Sequence, residues 1–330
     1  MPARICLFGM LLGLSVLVGC SAGREQARSH LHRGDSALAL KNFDAALSEF
    51  QQAVRLDPNF ADAHQKLGVA YKEAGDLNRA AESLEQATRL DPFSFTSIFE
   101  LGEVYRMLDR VTQAIRAYTV ACELSPRSFE SRFRLASCYH QTGDLDRAIQ
   151  EYKSAIKLEP RSAFAWSNLG AVYDARGEYY DAIRAYKLSL ECKTQHPVVL
   201  VNLATAYLNQ ERWATARQTL QAAVRMDASL SIAHERLGYC FWREQNLDEA
   251  AQSYLRAMSL DNRNAAAFAG YGVVRMTQYL ADPQNDAYLT EAVEAWHHSL
   301  EIQPDQPKLR ALLEKYRPKR GRPSVEFENP

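Results

Sequence analysis

Small and bulky apolar positions return along the chain with a period of 34 residues, and the spacing between them within each period is helical. One column holds only glycine or alanine, at Gly34, Gly68, Gly102, Ala136, Gly170, Ala204, Gly238 and Gly272. A second column is alanine without exception: Ala46, Ala80, Ala114, Ala148, Ala182, Ala216, Ala250 and Ala292. The column just beyond it is large, at Phe50, Leu84, Tyr118, Tyr152, Tyr186, Leu220, Tyr254 and Trp296. Two helices can cross closely only where small side chains meet, with bulky ones filling the grooves beside the crossing. The pattern therefore predicts stacked helical hairpins, each exposing an apolar side that the next one covers. Repeats begin at Ala27, Ala61, Phe95, Phe129, Ala163, Pro197, Ser231 and Ala265. Proline recurs at Pro58, Pro92, Pro126, Pro160 and Pro304, where it is expected in the first turn of the following helix. In the last repeat the interval from Gly272 to Ala292 is too long by 8 residues, and the excess around Ala281 to Leu289 is expected to enlarge the turn between its helices. Leu309, Leu312, Leu313 and Tyr316 then fall on one face of a closing helix.

The unit is clearest where Trp166, Leu169-Gly170, Tyr173, Ala182 and Tyr186 follow one another, an order that resembles the tetratricopeptide repeat (TPR) signature. The resemblance implies an all-α fold: a right-handed α-solenoid of about eight hairpins with a C-terminal capping helix. It also implies a non-catalytic scaffold for protein–protein interaction, since this family binds proteins in many unrelated systems. In the family the first helix of each hairpin lines the concave surface. On those helices Phe99 and Phe133 share a position and are joined further on by Phe164, Val198, Val201 and Ile232 as apolar anchors. Lys72, Arg106 and His140 share another position, close to Glu103 and Asp35, while Tyr239 and Trp242 mark the seventh repeat. Such a surface suits an extended or helical peptide segment, with aromatics as anchors and charges setting register. Packing of the two phenylalanines between helices, with a merely solvated basic column, is the competing reading. The carboxylate clamp of chaperone-binding relatives has no counterpart, because its positions hold Leu31 and Asp35, Gln65 and Val69, and Phe99 and Glu103. The asparagine ladder of glycosyltransferase-associated repeats reduces to Asn168 and Asn202; His32, Lys66, Glu100, Arg134 and Arg236 fill its other rungs.

Ahead of the repeats, Arg4 precedes an apolar run from Ile5 to Val18, shorter than the roughly 20 residues a bilayer span requires. Leu17-Val18-Gly19-Cys20 resembles the lipobox of bacterial lipoprotein signal peptides. That implies removal of residues 1–19, acylation of Cys20 and a lipid anchor in the bacterial cell envelope. Ser21, in place of an aspartate, favours the outer membrane, periplasmic face. Ordinary secretory cleavage after Ala22, giving a soluble exported adaptor, is the alternative. The expected organisation is a signal peptide at 1–19, a short tether at 20–26, the repeat array at 27–304, the cap at 305–316 and a basic tail at 317–330.

Composition narrows the chemistry. The chain has 39 Lys+Arg against 40 Asp+Glu, so its bulk offers no basic surplus for nucleic acid. The tail Arg317-Pro318-Lys319-Arg320-Gly321-Arg322-Pro323 does resemble an AT-hook, and a cytoplasmic DNA-associated repeat protein is the reading that follows if the signal is false. Export argues against it, and no nucleic-acid partner is expected. Cys122, Cys138, Cys192 and Cys240 match no zinc spacing and fall at packing positions. A Cys122–Cys138 bridge between consecutive helices is the alternative for that pair. His30 and His32, like His297 and His298, are poorly spaced to share a metal. His30, His64 and His234 stand where the repeat has tryptophan and are read as packing residues. With no zinc-protease helix, nucleophile elbow or phosphate loop, neither enzyme activity, metal nor cofactor is expected.

Overall fold

The computed structural model describes residues 23–193 and 195–316, and all regular structure among them is helical. Residue contacts divide the chain into two compact units, Met1–Pro160 and Arg161–Pro330. The first unit contains α1 (residues 23–39), α2 (Phe43–Leu56), α3 (Ala61–Glu73), α4 (Leu77–Leu90), α5 (Phe95–Met107), α6 (Val111–Leu124), α7 (Phe129–Gln141) and α8 (Leu145–Leu158). The second contains α9 (Ala163–Ala175), α10 (Tyr179–Cys192), α11 (Pro197–Asn209), α12 (Trp213–Met226), α13 (Ser231–Arg243), α14 (Leu247–Leu260), α15 (Ala265–Ala281), α16 (Asp286–Ile302) and α17 (Pro307–Tyr316). Odd- and even-numbered helices pair into hairpins, and α17 packs on α16. Cys20, the signal segment and the basic tail lie outside the described residues. Residues 23–26, expected in the tether, belong to α1.

Local chemistry starts and stops these helices. Ser94, Ser128, Ser162 and Asn264 cap first helices by accepting the backbone N–H three residues on, and Asn42, Asp76 and Asp144 do the same for second helices. The turn in each of the first seven hairpins places one residue in the left-handed region, which is glycine at Gly75, Gly143 and Gly177. Lys41, Asp109, Glu211 and Gln245 occupy that conformation without being glycine. Pro58, Pro92, Pro126 and Pro160 lie in the linkers between hairpins and Pro304 in the linker before α17, not in the following first turn; among the described residues only Pro197 and Pro307 begin helices. There the missing N–H costs nothing, since no acceptor awaits it.

The alanine column is fully buried from Ala46 to Ala292. The bulky column lies against the glycines: a Cβ on Gly102 would stand 2.7 Å from Tyr118 Cε1, and one on Gly170 2.7 Å from Tyr186 Cε1. Six hairpins are thus locked by a ring or leucine seated on a bare glycine backbone, and the other two have Ala136 and Ala204 in its place. The last hairpin corrects the expectation of an enlarged turn. Its helices are 17 residues each, against 13 and 14 in the preceding hairpin, and its turn has only four residues, 282–285. The extra length therefore adds about a turn to each helix. Trp296 fills the enlarged hairpin, donates from Nε1 to the Ala269 carbonyl at 3.2 Å, and is covered by Leu309 and Tyr316 of α17.

Cys122 and Cys138 form no bridge. Cys138 and Cys240 are buried and Cys122 and Cys192 half-buried. The tryptophan-column histidines have a more specific role than filling space. His64 Nε2 lies 2.9 Å from the Pro58 carbonyl and His234 Nε2 3.2 Å from that of Ala228, each ring satisfying the linker before its helix. His30 instead meets Glu49 at 2.7 Å.

Candidate peptide-binding face

Residues three and four apart on a first helix share one face. In the first unit that face is closed by its own charges. Lys72 Nζ lies 2.7 Å from Glu100 Oε2, and Lys66 meets Asp35 at 2.9 Å. Glu103 stands between Arg106 at 3.2 Å and Arg134 at 3.1 Å and accepts from the Tyr118 hydroxyl. Burial alone would push the Glu103 carboxyl up, but the hydrogen bonds from Tyr118 and Arg106 and the charge of Arg134 outweigh it and hold it below the usual glutamate value. Burial likewise works against the Lys72 ammonium, yet Glu100 and Glu73 keep its pKa above the ordinary lysine value. His140, half-buried, is pushed down by burial.

Phe99 and Phe133 are half-buried and repeat one arrangement. Phe99 stacks on Phe95 with centroids 5.8 Å apart and tilts onto Tyr118; Phe133 stacks on Phe129 at 5.6 Å and meets Tyr152 edge-on. Each ring is thus held from two sides, and part of each remains at the surface.

The second unit presents a different face. Phe164, Val198 and Ile232, one per repeat at the second residue of α9, α11 and α13, are 60%, 50% and 44% exposed. Asn168 and Asn202, one turn further along, are half-buried. Val201 is not part of this surface: it is 3% exposed, so its assignment as an anchor is corrected. Its position faces the surface only if the adjacent first helices stand apart, and both α9 and α13 pack on α11. Tyr239 and Trp242 form an aromatic cluster with Trp213 of α12, which lies edge-on to Tyr239 at 5.7 Å and carries Arg243 over its ring at 4.2 Å. Trp242 also donates to Thr277 at 3.4 Å. Trp213 escapes a reading confined to first helices, because it belongs to the second helix of the preceding hairpin.

Three further groups belong to this face. Asp174 accepts from Asn209 at 3.3 Å, and burial pushes its carboxyl above the usual aspartate value despite Asn209 and Arg236. Glu235 is likewise pushed up by burial, with Arg236 opposing. Among the described residues no carboxylate lies within 4.0 Å of the Arg236 guanidinium, whose Nε is buried without an acceptor. Asp174 was legible in the sequence, since it occupies the column of Lys72, Arg106 and His140. Among the described residues no cluster of histidine, cysteine and carboxylates is arranged to hold a metal, and no helix is long and apolar enough to cross a membrane.

Known proteins place this architecture. A family model described as the C-terminal domain of cilia and flagella-associated protein 70, itself a TPR model, matches residues 96–270, and two tetratricopeptide-repeat models match residues 34–75 and 61–94. The chain belongs to the tetratricopeptide repeat family. Among solved structures, MamA is 28% identical with a TM-score of 0.50, the match covering 52% of this chain and 93% of that one. The C-terminal part of a TPR repeat-containing protein from Cytophaga hutchinsonii is 18% identical with a TM-score of 0.62, over 73% of this chain and 98% of that one. Pseudomonas aeruginosa pilF is 20% identical with a TM-score of 0.53, over 63% and 94%. The last two likenesses show the fold alone. No protein of curated function matches the chain. The tetratricopeptide fold of hairpins with surface-facing first helices supports binding of protein or peptide segments.

Proposed function

We propose that the protein is a non-catalytic scaffold, tethered to a membrane of the bacterial cell envelope through a lipid on Cys20, that recruits or assembles envelope proteins on its first-helix faces. The observation that carries the scaffold reading is the exposed apolar column Phe164, Val198 and Ile232, repeated once per hairpin where solvent would favour polar side chains. Large side chains placed at one position of successive repeats form a linear track, and a linear track suits a peptide segment better than a small molecule. The tether rests on Leu17-Val18-Gly19-Cys20 following an apolar run. Only a few residues separate Cys20 from α1, so at about 3.5 Å per extended residue the first hairpin would stay close to the bilayer.

Labelling with radioactive palmitate, followed by membrane fractionation, tests the anchor. The full chain is expected to take up label and sediment with membranes, and Cys20→Ser to lose both. Label retained by Cys20→Ser removes the lipoprotein reading and leaves the soluble exported adaptor.

A further inference from the structure

The third hairpin departs from its neighbours at two adjoining places. In the first hairpin His30 reaches Glu49 at 2.7 Å, and in the fourth Arg132 reaches Glu151 at 2.8 Å. The same two positions in the third hold Ile98 and Ala117. Arg79 and Arg147 lie over the rings of Tyr71 and Tyr139 at 4.7 Å and 5.0 Å, whereas the residue that matches them beside Tyr105 is Gln113. These shorter side chains leave a largely apolar hollow of about 330 Å³ between α4 and α6, floored by Ile98, Leu101 and Tyr105 of α5 and walled by Pro92, Ala117 and Val120. Next to it Phe93 is 81% exposed. Every other linker between hairpins has a polar residue at that place: Asn59, Arg127, Arg161, Gln195, Ser229 and Arg263. A ring left in water and an apolar hollow left open beside it are each unfavourable alone.

We infer that this surface joins two copies of the chain, each inserting Phe93 into the hollow of the other. A two-fold contact brings the same patch of both copies together, so ring and hollow must share one surface; Pro92, next to Phe93 in sequence, lines the hollow. A cavity of about 150 Å³ accommodates a benzene ring, so the hollow is large enough for the phenyl group. Charge agrees with the exchange. Asp91 holds the linker by accepting the Phe93 backbone N–H at 3.0 Å, and Arg116 stands at the rim of the hollow. Among the described residues neither has an opposite charge within 4.0 Å, and entry of Phe93 carries Asp91 of one copy towards Arg116 of the other. An aromatic side chain buries about 150–250 Å², so two rings and the walls they cover remove roughly 800 Å² from water. That is below the roughly 1,200 Å² of a stable interface, and the dimer is a weak one that forms at micromolar concentration. It lies on the second-helix side of the first unit and is independent of the scaffold reading.

The test places a photo-activated cross-linking side chain at Val120, on the wall of the hollow, in cells producing the full chain. An adduct of twice the chain's mass is expected, with the cross-link mapped by mass spectrometry to the linker around Phe93. Phe93→Ser in the same chain should lower its yield at least about tenfold. Helicity should be unchanged, since Ser229 stands at this place in another linker. Ile98→Trp, which gives the third hairpin the residue that Trp166 is in the fifth, should lower the yield similarly by filling the hollow. Should Ile98→Trp reduce helicity, Phe93→Ser and its rescue decide. The rescue is a second, tagged copy that keeps Phe93: produced beside the Phe93→Ser chain, it should restore the adduct, now between the two copies. Absence of a self-adduct, a self-adduct that persists in Phe93→Ser, or failure of the tagged copy to restore it overturns the inference. Adducts formed only with other proteins also overturn it and would assign the hollow to an aromatic side chain of a different partner. None of these outcomes bears on the scaffold reading, which is judged by adducts at Val198 and Ile232.

Discussion

Glu103→Gln measures whether the charges on the first unit's face hold the fold or await a ligand. The carboxylate touches Arg106 at 3.2 Å and Arg134 at 3.1 Å and accepts from Tyr118, whose ring fills the bare backbone at Gly102. An exposed ion pair contributes about 0–1 kcal/mol, whereas breaking a fully buried one costs about 3–5 kcal/mol. Glu103 is 15% exposed and its arginines 35% and 32%, which sets this cluster between the limits. Glutamine keeps an oxygen for Tyr118 but takes the counter-charge from Arg106 and leaves Arg134 only Glu130, at 2.8 Å, so a loss of about 2 kcal/mol is expected. With a urea slope of about 2 kcal/mol/M, the transition of the first unit should fall by about 1 M. Far-UV circular dichroism gives the transition, and amide hydrogen exchange assigns it to α5 and α7. Because the Glu103 carboxyl titrates below its unfolded value, its contribution is present at neutral pH and is lost as pH falls through the folded value. The difference between wild type and Glu103→Gln should therefore vanish in acid. An unchanged midpoint, or lost partner binding at unchanged stability, would refute the structural role.

Other predictions follow from the same geometry. Gly170→Val should cost about 1–3 kcal/mol, read as a lower thermal midpoint, because the Tyr186 ring already lies 2.7 Å from where a Cβ would stand. Gln245→Gly and Glu211→Gly, at φ of 64° and 57°, should each stabilise by up to about 1 kcal/mol in urea titration. Glu235→Gln should raise the midpoint at neutral pH, because burial penalises the charged carboxylate; that gain should shrink as pH falls and the wild-type group protonates. A thiol reagent at about pH 8 should leave Cys138 and Cys240 unmodified in the native protein, since both are buried and their thiols are pushed up to about 11 and about 12; modification should appear with unfolding.

The columns that make the hairpins were legible because each repeat solves the same packing problem with the same residue sizes; Gly102 beneath Tyr118 and Gly272 beneath Trp296 are one arrangement in two sizes. The eighth hairpin was half legible. Spacing gives the total excess, but the residues on either side of Asp282-Pro283 are as compatible with helix as with loop, and helix continues wherever nothing stops it. Burial of Val201 depends on how closely α9 and α13 approach α11, which no single-helix pattern encodes. The ion pairs Lys72–Glu100 and Glu103–Arg134 join residues in consecutive repeats, so a column of like charges read alone looks available when its neighbours already answer it. The contrast between the units appears only when the charges of all first helices are compared after pairing.

The proposed function requires that partners be taken on first-helix surfaces. Its most direct test places a photo-activated cross-linking side chain, one at a time, at Val198 and Ile232 on first helices and at Tyr180 and Leu255 on second helices, all exposed. Cells producing the full chain are illuminated and the adducts identified by mass spectrometry. Defined protein adducts are expected at Val198 and Ile232 and none at Tyr180 or Leu255. Adducts confined to the second-helix positions, or spread evenly over all four, would contradict it.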